Sequence, residues 1–245
     1  MRPLLAITHL ADRSLGLAEG VLSRRGIALR RTHLGAERPR LEEVGGLLVL
    51  GGAMGVPDAA EYPFLRWELG LLARAVDEEV PVLGLCLGGQ LLARAVGGRV
   101  ERMAEPFIGW PRLTRLPAAD GDALFGRLPA EVEVLEWHND AIEPPGAAVV
   151  LAQTGGPGCS LFRAGPVAWG SQIHLELTLA MLTRWLEDDD LAGDLAAAGV
   201  DPAGLLADAT RRLAGQSRVA ETVFERFADV VLARSLTGRC PPPFA

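Results

Sequence analysis

The chain has 245 residues, 49% of them hydrophobic, and carries 24 Lys and Arg against 31 Asp and Glu, a net charge of −7. That supplies the core of one α/β domain with an appendage, and the acidic balance argues against general nucleic-acid binding. No apolar run reaches the roughly 18–20 residues of a membrane helix, and Cys86, Cys159 and Cys240 form neither a C-x-x-C pair nor a disulfide framework. Met1 to Ile7 runs straight into a strand pattern with no signal-peptide profile, so a soluble, cytoplasmic protein is expected.

Leu4-Leu5-Ala6-Ile7 reads as a strand, Leu15 to Leu22 as a helix ending near Gly26, Ile27-Ala28-Leu29 as renewed extended chain, and Leu47 to Leu50 as another strand. Short apolar runs separated by helices mark strands covered on both faces, as in a parallel sheet. The arginines crowding this region, among them Arg24, Arg25, Arg30 and Arg31, read as a solvated face. Gly51-Gly52-Ala53-Met54-Gly55 then leaves a strand. A glycine pair there lets backbone approach a ligand and offer an N–H to a developing oxyanion; an ordinary tight turn has the same composition. Tyr62 to Val76 follows as a helix with Leu65, Leu69, Leu72 and Val76 along one face.

Pro81 to Gly98 is the segment with the most chemical content. Val82 to Leu85 reads as a strand, Cys86 as a sharp turn and Gln90 to Val96 as a helix, and Gly84-Leu85-Cys86-Leu87-Gly88 has the spacing of a nucleophile elbow. A residue held in a strained turn leaves no room for neighbouring Cβ atoms, which places glycine two positions to either side. The helix that follows directs free N–H groups and its positive dipole end at the sulfur, favouring thiolate. A buried packing cysteine is the alternative reading.

Farther on, Val100 to Leu116 and Val132 to Trp137 read as strands around a polar turn and short helix at Asp120 to Phe125. Trp137-His138-Asn139-Asp140 is expected at a strand terminus. Val149 to Leu151 and Val167 to Trp169 continue the sheet, and the latter runs on in extended form through Gln172-Ile173-His174-Leu175-Glu176. Residues two apart on extended chain point the same way, so Glu176 can bind one nitrogen of His174 while the other faces Cys86. Thr178 to Leu186 is a helix. Beyond Asp188, Asp201-Pro202 starts one amphipathic helix and Ser217 caps a second, packing on the main body or on a second subunit, while Pro241 to Pro243 is irregular.

Of four histidines, His174 is the best candidate base; His9 and His33 read as structural, and His138 as either structural or a contact to the tail of a substrate. Cys159 and Cys240 read as incidental thiols. Gly84-Leu85-Cys86-Leu87-Gly88-Gly89-Gln90, followed by Gln172-Ile173-His174-Leu175-Glu176, closely resembles the class I glutamine amidotransferases, the Cys-His-Glu family. GGAMGVPD at 51–58, the run from Leu91 to Val100, Ile108-Gly109-Trp110 and the Trp-His-Asn-Asp segment resemble its stand-alone, GMP synthase-like members.

The resemblance implies a flavodoxin-like three-layer αβα domain over residues 1–187 with a mainly parallel sheet, leaving 188–245 as a helical extension. It makes Cys86 the nucleophile, His174 the general base and acid, and Glu176 the orienting carboxylate. The same resemblance implies that the N–H groups of Gly52 and Leu87 form the oxyanion hole, that Gln90 lines the substrate site, and that neither metal nor organic cofactor is needed. Where the family usually has His-Pro-Glu, this chain has Leu175, and Gly89 stands where many relatives carry histidine. Three functions stay open: hydrolysis of a small γ-glutamyl amide, a glutaminase subunit feeding ammonia to a separate synthase chain, and an inactive binding protein. A homodimer is also compatible.

Overall fold

Alternate residues of the first strand enter opposite cores. In the computed structural model, which describes residues 2–237, Leu4 and Ala6 of β1 (Leu4–Thr8) face one helical layer while Leu5 and Ile7 face the other. The same alternation recurs in β3 (Gly46–Val49) and β4 (Val82–Leu85), where Leu48 and Leu83 share a core with Leu4, and Leu47 and Val82 share one with Leu5. Strands buried on both faces are the signature of a sheet sandwiched by helices.

With β2 (Leu29–His33) and β11 (Ala168–Ser171), these strands form the parallel half of the sheet, in the order β2-β1-β3-β4-β11. The sheet continues antiparallel through β10 (Leu161–Ala164), β9 (Val149–Gln153), β6 (Arg112–Arg115) and β7 (Glu131–Glu133). Helices α2 (Pro63–Asp77) and α3 (Leu87–Ala95) cover one face. The other is covered by α1 (Leu17–Arg24) and by Val223, Phe224 and Phe227 of the long α6 (Pro202–Thr237). The parallel half has the flavodoxin-like strand order, in which ligands gather beyond the carboxyl ends of the strands. A separate antiparallel pair, β5 (Arg99–Gly109) with β8 (Glu136–Glu143), leans over that rim. Beside it a third cluster joins Trp137 to α4 (Leu179–Leu186), α5 (Asp189–Ala197) and the start of α6.

Several sequence expectations need correction. The segment around Asp120 to Phe125 is turn rather than helix: Asp122 Oδ1 accepts the Leu124 and Phe125 N–H groups, at 3.0 and 2.9 Å, and the Gly126 N–H donates to the Asp122 carbonyl at 3.1 Å, a single turn that does not continue as a helix. Trp137 to Asp140 lies inside β8, not at a strand end, because its register with β5 runs on to Glu143. Residues 174–176 are not extended; the chain turns there, with the Leu177 N–H donating to the His174 carbonyl at 3.2 Å. Ser217 caps no helix, since α6 is continuous from Pro202 to Thr237. Gln216, the residue before it, is fully buried and ties mid-helix to the main body, which leaves no helix terminus to cap. Asp201 does cap α6, accepting from the Ala203 and Gly204 N–H groups. Cys240 and Pro241 to Pro243 lie outside the described residues.

Candidate active site

Cys86 links β4 to α3 with φ 50° and ψ −110°, a region L side chains rarely occupy. The flanking glycines permit it. A Cβ on Gly84 would lie 2.4 Å from the Gly88 carbonyl oxygen, and one on Gly88 would lie 2.1 Å from that of Val49. Strand and helix therefore approach more closely than any side chain allows, and the close approach forces the bend. The Cys86 N–H donates to the Ser171 carbonyl at 2.7 Å, fastening the bend to the end of β11.

β11 is also what delivers the histidine. Past Ser171 the chain turns, and His174 Nδ1 donates to Glu176 Oε1 at 2.9 Å, so Leu175 in place of proline still allows the pair to close. His174 Nε2 donates to the Trp137 carbonyl at 3.3 Å, the same oxygen that faces the Cys86 sulfur at 3.6 Å. Gln172 Nε2 points at that sulfur from 3.7 Å. Cys86, His174 and Glu176 are all buried to within a few per cent, and the Trp185 ring lies edge-on to the imidazole at 4.9 Å.

Burial pulls the His174 ring towards its neutral form, yet its protonation is raised well above the ordinary value of 6.5. Attraction to Cys86 and then to Glu176, which also accepts a hydrogen bond from the ring, outweighs the desolvation. Two acceptors facing the two ring nitrogens agree with a doubly protonated imidazole. The other thiol behaves differently: burial pushes Cys159 up to about 12, leaving it a packing group.

The remaining expected residues border the same cleft. Gly52 and Gln90 line it, and Leu87 is the first residue of α3, next to the sulfur-bearing position. A Cβ added to Gly51 would stand 3.1 Å from His174 Cε1 and 3.4 Å from Cys86 Cβ, which puts the glycine loop against the site. Gln90 is buried, its Nε2 donating to the Asp140 carbonyl at 3.4 Å. His138 also lines the cleft, buried, with Nδ1 donating to the same carbonyl at 2.9 Å and its ring 5.7 Å from Phe107. Arg102 brings a guanidinium to the rim, held by Asp140 at 2.7 Å and Asp58 at 2.9 Å. Burial raises the Asp140 carboxyl despite that partner. Among the described residues no cluster of His, Cys, Asp and Glu is arranged to hold a metal ion.

Several contributors were not visible in the sequence. Trp137 places its carbonyl between sulfur and imidazole. Asp194 of α5 accepts from Trp137 Nε1 at 3.1 Å and from Asn139 Nδ2 at 3.0 Å, so a helix beyond residue 187 forms part of the cleft wall. Gln216 of α6 accepts the Leu135 N–H and donates to the His174 carbonyl, both at 2.7 Å. His9, read as structural, lies under the glycine loop, with Nδ1 3.2 Å from the Gly51 carbonyl.

Residues 24–189 match the family model of glutamine amidotransferase class-I. The glutamine amidotransferase-like protein YfeJ of Salmonella typhimurium is 31% identical over 144 residues, which are 58% of this chain and 60% of that protein. One subunit of the glutamine-hydrolysing GMP synthase of Saccharolobus solfataricus is 36% identical over 101 residues, 40% of this chain and 52% of that one. The matched stretch thus spans little more than half of these relatives. A crystal structure of a glutamine amidotransferase from Thermotoga maritima superposes with a TM-score of 0.81 at 28% identity, covering 93% of this chain and 98% of the other.

Proposed function

The chain belongs to the class-I glutamine amidotransferase family, and on that footing we propose that it hydrolyses a small γ-glutamyl amide through a thioester on Cys86. The observation that carries this reading is the meeting of a strained Cys86 with a His174–Glu176 pair around one carbonyl in a cleft. The Cys86 sulfur attacks the γ-carboxamide carbon; the carbonyl π electrons move onto oxygen, where the N–H groups of Gly52 and Leu87 receive them. Each such donor is worth about 3–4 kcal/mol of barrier. His174, protonated and held by Glu176, gives its Nε2 proton to the departing ammonia or amine. The neutral ring then takes a proton from water, which attacks the thioester and releases the γ-carboxylate.

The test is a screen of glutamine, γ-glutamyl amines and γ-glutamyl peptides against the isolated chain and Cys86→Ala. Release of glutamate by the first and not the second is the expected result. A second reading, a glutaminase subunit serving a separate synthase, is favoured by the likeness to one subunit of a GMP synthase. It predicts turnover that rises sharply only when the synthase chain is added.

A further inference from the structure

We infer that His9 and Glu68 are positioning residues for the oxyanion hole: together they hold the Gly51–Gly52 peptide so that its N–H faces the nucleophile. The inference rests on the reading of Gly52 as an oxyanion donor. His9 follows β1 and Gly51 follows β3, neighbouring parallel strands whose carboxyl ends lie side by side. The His9 ring sits beneath the loop, with Nδ1 3.2 Å from the Gly51 oxygen and Nε2 3.1 Å from both Glu68 oxygens. Both side chains are wholly buried, and Phe64 stacks on the ring at 6.0 Å.

A carbonyl only accepts, so whichever of the pair carries the second proton, it is Nδ1–H that donates to Gly51. The peptide is planar and trans, so its C=O and N–H point in opposite directions. Fixing the Gly51 oxygen against His9 therefore aims the Gly52 N–H the other way. The loop needs such a hold, because a Gly-Gly peptide has no Cβ to resist a flip of its plane. Stability alone is a poor reason to keep this pair, since apolar groups of similar shape commonly replace buried ion pairs without loss.

The amide nitrogen of asparagine falls where Nδ1 of histidine does, and that of glutamine falls where Nε2 does. The experiment compares His9→Asn with His9→Gln, each combined with Glu68→Gln to remove the buried charge. Steady-state γ-glutamyl hydrolysis and Cys86 alkylation by iodoacetamide are read out, the latter by peptide mass. We expect His9→Gln to lower kcat about 30-fold or more relative to His9→Asn, since it loses alignment of one oxyanion donor. KM should change less than about threefold and the alkylation rate less than about twofold, because neither uses the oxyanion hole. Equal kcat in the two variants, with wild type active, overturns the role of the pair and leaves the site reading intact. A wild type that alkylates at Cys86 but hydrolyses no γ-glutamyl compound, either alone or with a synthase chain added, overturns both.

Discussion

Glu176 reaches His174 through one 2.9 Å contact, inside a pocket that strips water from both. Burial disfavours the imidazolium; the Cys86 and Glu176 charges reverse that, and the ring holds its proton to a pH well above 6.5. Because the raised value keeps the acid form present up to higher pH, activity that needs imidazolium should persist through neutrality and fall only on the alkaline side. Glu176→Gln removes one of the raising charges. The alkaline limb of its kcat/KM profile should move to lower pH, and kcat should drop about 100-fold or more. An unmoved limb would show that Glu176 does not tune the base. At this scale the elbow was legible because its cause is local: Gly84 and Gly88 bracket Cys86 within five residues. His174 and Glu176 were legible as a spaced pair, although a turn rather than an extended strand brings them together. His9 with Glu68, and the Trp137 carbonyl, were not. Their partners lie tens of residues away in sequence, and no local pattern encodes which buried histidine meets which carboxylate.

The elements that hold the site are short and tightly apposed. A Cβ at position 88 would stand 2.1 Å from the Val49 oxygen, which is backbone and cannot swing aside. Gly88→Ala should cost about 3 kcal/mol or more in denaturant unfolding, or leave the protein insoluble. A normal midpoint would mean that α3 and β3 are farther apart than described. Gln216 acts between elements: from the middle of α6 it satisfies the Leu135 N–H and the His174 carbonyl. Gln216→Leu orphans two buried backbone groups and should destabilise by about 2–4 kcal/mol, with loss of activity from the displaced histidine. Helix and strand existence was largely readable from apolar period. Missed were β10, an antiparallel return, α5, and the continuity of α6, because Ser217 reads as an N-cap until Gln216 beside it is seen to be buried.

Across the whole molecule, the carboxyl ends of β1, β3, β4 and β11 border the candidate cleft, and Leu191 and Asp194 of α5 add to its wall. Val223, Phe224, Phe227, Val230 and Val231 of α6 are fully or almost fully buried in the core shared with α1 and the sheet. At about 2 kcal/mol per side chain they approach the whole stability of a typical domain, about 5–15 kcal/mol. A chain ended after Glu187 should therefore lose cooperative unfolding and bind a hydrophobic dye; a sharp thermal transition in it would mean that α6 is an accessory. The central claim, that Cys86 is a nucleophile served by His174, is tested most directly by intact and peptide mass analysis after reaction with a glutamine-derived diazoketone. One adduct, on Cys86, absent from Cys86→Ala and formed far more slowly in His174→Ala, is the predicted result. No adduct on Cys86, or equal rates with and without His174, would contradict it.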